Sequence, residues 1–210
     1  MGRIISTSLP CFCSLLRLIL DEYEFTEGFQ FGVRTASFQV EGGWNASGKG
    51  ESIWDYITHN NPNFINDGSN ANIACDTYHK IAEDVQLLKD MNVDYYCFSI
   101  SWPRIFSNGH TNRPNEDGIR YYTELIDELL VNGITPLVTM FPLLVELFVN
   151  NADKLFYHFG DKVKNWITFN ESYKICNFSY SDGILTPGYK QKGIGDYLCS
   201  YTVLIVHGRT

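Results

Sequence analysis

Three places in this 210-residue chain put polar side chains where a buried apolar run stops. In NWITFNES (165–172) the run Trp166, Ile167, Thr168, Phe169 ends at Asn170 and Glu171. Gln39 and Glu41 follow FQFGVRTAS (29–37), and Arg104 follows the strand-like run that closes in SISWPRI. A carboxyl beside apolar neighbours such as Phe169 has its neutral form favoured and can serve as a general acid. Asn and Gln amides both donate and accept, so they can fix hydroxyls in either sense, and Trp44 and Trp102 could offer apolar faces to a pyranose ring. Arg104 would do the opposite job to the acid, because its fixed charge keeps a nearby second carboxylate ionised. The set suits a sugar. Any one of these residues could be a solvated loop side chain, and for a lone Glu that reading would win; the weight lies in three of four strand ends carrying such groups.

The elements that must position them alternate. Apolar runs at 29–37, 93–101, 134–141 and about 164–169 read as strands. Between them, helical spacing runs through Tyr78, Ile81, Val85, Leu88 and Met91, and from Glu116 or Asp117 through Leu130 to a stop at Asn132-Gly133. A further helix spans 145–159, ended by Gly160. Near-continuous apolar strands, each followed by a helix, predict an α/β fold with parallel strands buried on both faces. Four such units suit a small doubly wound sheet or half of an eight-unit barrel, and in both the carboxyl ends of the strands form the ligand rim.

Composition removes other classes. With 24 acidic against 16 basic residues the formal charge is −8, and no Lys/Arg cluster offers a nucleic-acid footprint. The stretch 1–20 is too short and too broken by Pro10 and Arg17 for a membrane span. Arg3 ahead of an apolar stretch fits a degraded signal peptide, and Gly2 with Ser6 fits a myristoylation pattern. Residues 1–24 are therefore an unassigned segment, with the folded domain over 25–210. Six dispersed cysteines suit neither a zinc module nor a disulfide scaffold, and Cys75 with His79, four apart, reads as a buried thiol and a helix-packing imidazole. No metal or cofactor is expected. GWNASGKG (43–50) comes close to a phosphate-binding loop, but Gly50 stands where a hydroxyl is needed, and a glycine-permitted turn is the competing reading.

Read together, FGVRTASFQVEGGWNASGKGESIWD, DTYHKIAEDVQLLKDMNVDYYCFSISWPRI, GIRYYTELIDELLVNGITPLVTMF and FGDKVKNWITFNE resemble successive blocks of glycoside hydrolase family 1, the β-glucosidase and myrosinase-type enzymes. The resemblance implies a partial (β/α)8 TIM barrel, about the first four β/α units. It also implies retaining hydrolysis of O- or S-linked β-glycosides by two glutamates. By motif, Glu171 matches the acid/base, Asn170 the ligand of the sugar's 2-hydroxyl, Gln39 a ligand of outer hydroxyls, and Arg104 the residue contacting the nucleophile. An extracellular location goes with the family.

The departures are specific. No Glu-Asn-Gly triplet, the nucleophile's motif, occurs. The family's Tyr-His-Trp stretch after strand three is missing, Cys97 stands where Arg is usual, Arg34 where a small residue is usual, and Ser172 where Pro is usual. The expectation is a truncated, amino-terminal half without turnover by itself, self-associating through its exposed strand edges. The alternatives are a non-catalytic carbohydrate-binding remnant and, more distant, a nucleotide-binding protein using Lys49.

Overall fold

A computed structural model describes residues 25–140 and 145–210. The signal-peptide and myristoylation readings, and the shortened junction after strand three, lie outside the described residues. Four short strands form one sheet: β1 (Gly32–Arg34), β2 (Tyr95–Ser99), β3 (Thr135–Thr139) and β4 (Asn165–Ile167). All neighbours are parallel and the spatial order is the chain order, β1-β2-β3-β4. That order separates the two architectures left open above. A doubly wound sheet reverses its strand order at a switch point, whereas sequential right-handed crossovers carry every helix to the same face and leave the other to become a barrel interior. The fold is the partial α/β barrel.

The helices show where sequence patterning is strong. Helix α5 (Glu116–Val131) and α6 (Val145–Phe159) occupy the predicted spans. On α5, Tyr121, Tyr122, Leu125, Ile126 and Leu129 form a buried stripe at helical spacing and share one core with Val138, Met140, Phe148, Leu155 and Phe159. A Cβ at Gly118 would overlap the Arg104 carbonyl, so only glycine lets the first turn of α5 sit on that backbone.

Elsewhere the elements differ from expectation. The strands are shorter than the apolar runs, and the first stops at Arg34 because Ser37 opens one helical turn, α1 (Ser37–Val40), with its amide bonded to Ser99 Oγ. Helix α2 (Ile53–Asn60) starts at a capping box in which Ser52 accepts from the Asp55 amide and Asp55 accepts from that of Ser52. The helix expected through Tyr78 to Met91 is divided. A 3-10 turn at Thr77–His79 ends at Lys80, and α3 (Ile81–Asp90) follows. Cys75 is exposed rather than buried, and His79 bonds Asp76 at 2.6 Å instead of packing a helix face. Trp102–Ile105 forms the short α4.

After β4 the chain makes α7 (Ser172–Tyr180) and α8 (Gly195–Arg209), joined by a Cys176–Cys199 disulfide that the dispersed cysteines did not suggest. Closing 23 residues, such a bond stabilises a fold by about 3 kcal/mol. Helix α8 is apolar on several sides and leaves Tyr197, Leu198, Tyr201 and Leu204 exposed. Among the described residues no helix is long and apolar enough to cross a membrane.

The sheet's two outer strands and the exposed side of α8 set an expected solution behaviour. At micromolar concentration the chain should sediment as species larger than its 24.0 kDa mass, increasingly so as concentration rises. A single cooperatively melting 24.0 kDa species would contradict this.

Candidate active site

Arg104, at the end of β2 through the turn of α4, is 1% exposed and its fork points inward. Its Nε donates to Glu41 Oε2 at 2.8 Å and its Nη2 to the Gly42 carbonyl at 2.9 Å, while the guanidinium carbon lies 4.2 Å from the Tyr78 ring centre. The Tyr122 hydroxyl donates to the other Glu41 oxygen and accepts from the Ser101 amide at 2.6 Å. Burial holds the Glu41 carboxyl above its ordinary value, and the Arg104 charge with the two side-chain donors offsets only part of that rise. Burial likewise works against the Arg104 charge, but the facing carboxylate holds that arginine above its ordinary range. Two donors on two separate oxygens are the geometry of an accepting carboxylate. The carboxylate that Arg104 holds within this chain is Glu41, and its remaining fork nitrogen, Nη1, is buried without a hydrogen-bond partner among the described residues.

The rim cluster is built from the two outer strands. Asn170 and Glu171 follow β4, and Arg34 closes β1; Arg34 Nη1 donates to Asn170 Oδ1. Side chains stand roughly perpendicular to a flat sheet, and three strand spacings amount to about 14 Å. Groups on the outer strands meet only because the sheet curls. Glu171 is in the left-handed region, φ 51°, ψ 44°, where its carbonyl accepts from the Ile175 amide and begins α7. A non-glycine residue there carries about 1–3 kcal/mol of strain and points to a functional constraint.

The ionisation of Glu171 differs from expectation. Phe169 turns away to stack on Phe148 at 4.8 Å and does not cover the carboxyl. Glu171 is exposed, and Lys174, one turn along α7, donates to it at 2.7 Å. That hydrogen bond, with the Lys174 and Arg34 charges, holds its carboxyl below the ordinary range. As it stands, Glu171 is a carboxylate at neutral pH.

Gln39 does not join this cluster. It lies on α1 and lines a separate hollow of about 230 Å³ with Thr58, Asn70 and Ala71. A larger cavity of about 700 Å³ at the ends of β1 and β2 is walled by Trp44, Trp54, Trp102 and Lys49, and none of Gln39, Arg104, Asn170 and Glu171 lines it. Trp44 meets His59 edge to face at 4.6 Å, and Trp102 leans on Phe106 at 4.5 Å. Lys49 is committed to Asp55 at 2.7 Å and to two backbone carbonyls, which leaves no ammonium to hold a phosphate. Among the described residues no group of three His, Cys, Asp or Glu is placed to hold a metal ion. Sequence reasoning missed Arg34 and Lys174; the arginine was visible only as a misfit on a strand, and Lys174 as the residue three positions after Glu171.

Residues 21–210 match the profile described as Glycosyl hydrolase family 1. Myrosinase 1 of Brevicoryne brassicae is 46% identical over 204 residues, which cover 90% of this chain and 44% of the relative. The solved aphid myrosinase superposes with a TM-score of 0.86 at 46% identity over 89% of this chain and 44% of that one. A β-glucosidase from Thermotoga maritima, solved in complex with galacto-hydroximolactam, gives a TM-score of 0.83 at 36% identity, covering 89% of this chain and 46% of that one. The chain spans less than half the length of these relatives.

Two substitutions test the two clusters. Arg104→Met strands Glu41 in the core and should lower the unfolding free energy by about 3–5 kcal/mol in urea titration; a loss under about 1 kcal/mol would contradict the ion-pair reading. Lys174→Met removes the donor that favours the charged form of Glu171. The Glu171 carboxyl should then titrate at higher pH in carbon-13 NMR, and an unmoved or lower midpoint would contradict the assigned cause.

Proposed function

The chain belongs to glycosyl hydrolase family 1, and from that premise we propose that it carries the acid/base half of a retaining β-glycosidase acting on O- or S-linked β-glycosides. The observation that carries this reading is the Asn170-Glu171 pair at the carboxyl end of β4, facing Arg34 across the curl of the sheet. Glu171 would protonate the leaving oxygen and then take a proton from water, while Asn170 holds a ring hydroxyl. Retention needs a second carboxyl about 5–5.5 Å from the first. These 210 residues contain no Glu-Asn-Gly segment to supply it.

The acid role requires a protonated Glu171, and the present exposure opposes that. Cover over the inner face of the sheet, together with bound sugar, would desolvate the carboxyl, draw it from Lys174 and raise its pKa. The chain by itself is therefore proposed to turn over no glycoside. The exposed, ionised Glu171 also favours a second reading, a carbohydrate-binding remnant that keeps Asn170 and Gln39 without chemistry. The Cys176–Cys199 disulfide supports an oxidising, extracellular setting for either.

Joining the carboxy-terminal half of the aphid relative to this chain tests the choice, with a chromogenic β-glucoside as substrate. Turnover in the fusion is expected, with at least about a hundredfold loss in Glu171→Gln. A folded fusion whose rate is unchanged by Glu171→Gln would reject the acid/base role, and sugar binding without turnover would favour the remnant.

A further inference from the structure

We propose that Arg34 is a positioning residue of the Glu171 site: reaching from the end of β1 to Asn170 beyond β4, it engages the amide oxygen and orients Asn170 to present its NH2 group to a ligand. A guanidinium has five N–H donors and no acceptor, so the amide atom facing it has to be oxygen. The same bond thereby fixes which way the amide lies and sends its NH2 group away from Arg34.

Residues 34 and 97 are register partners on adjacent strands, Arg34 against Cys97. The Cys97 side chain, buried near Thr139, leaves the mouth of the sheet to Arg34. Arg34 is exposed, so the contact closes the rim rather than the core.

A chemical preference follows. A ligand group meeting the Asn170 NH2 group has to accept a hydrogen bond, as a hydroxyl oxygen does, with the hydroxyl's own proton free for a carboxylate such as Glu171. An ammonium group, which only donates, gains nothing from that NH2 group and meets two cations nearby, Lys174 from α7 and Arg34 from β1. The site therefore suits neutral hydroxylated rings over protonated amino sugars. This preference rests on the glycosidase reading, whereas the Arg34–Asn170 contact does not.

The test uses the full 210-residue chain with labelled asparagine and glutamate, comparing Arg34→Met and Arg34→Lys by NMR. In Arg34→Met the Asn170 side-chain amide resonances should shift and Glu171 should titrate at higher pH. In Arg34→Lys, which keeps a charged donor, both should return towards the parent values; a purely structural role would not distinguish the two variants at equal melting temperature. Asn170 resonances unchanged in Arg34→Met, or a lysine variant that behaves like the methionine one, would overturn the proposal. Shifts as expected in a protein that binds no β-glucoside would uphold the contact and count against the glycosidase reading alone.

Discussion

The curl of the sheet is the constraint on which the rest depends. Four parallel strands in sequential order gather their helices on one side when the connections share the usual right hand of parallel crossovers. The free face bends inward, and the carboxyl ends of β1 and β4, far apart along any flat sheet, come within reach of one arginine and one asparagine. Site and fold are coupled at that point: the residues best suited to chemistry sit where the bending is most sensitive to what covers the inner face.

A second, independent anchor lies one layer deeper. The Arg104–Glu41–Tyr122 network ties α1, α4 and α5 to the ends of the first two strands. Charges buried this way are weak contributors to net stability but costly to break, because any survivor is left without a partner. The network therefore fixes the geometry of the rim more than it strengthens the fold. Glu171 contrasts with it in each respect, being exposed, ionised and held by a flexible lysine.

Much of this was legible in the residues. The stripe on α5 and the stop at Asn132-Gly133 marked a helix because local period and capping agreed, and the polar pair after β4 stood out against an apolar run. What stayed hidden were pairings over long separations. Nothing local joins Arg104 to Glu41, 63 positions away, and Arg34 to Asn170 spans 136. The Cys176–Cys199 bond was missed because spacing alone does not pair cysteines. The state of Glu171 was misjudged for a related reason: Phe169 is its neighbour in sequence but stacks elsewhere, and Lys174 reaches it only once α7 has formed.

The central claim, that the sheet curls far enough for its outer strands to touch through side chains, is open to a double-mutant cycle on Arg34 and Asn170. Unfolding free energies of the parent chain, Arg34→Met, Asn170→Ala and the double variant would be compared under one set of conditions. Direct contact predicts an interaction energy of at least about 0.5 kcal/mol, whereas additivity within about 0.3 kcal/mol would mean that the two strand ends do not meet.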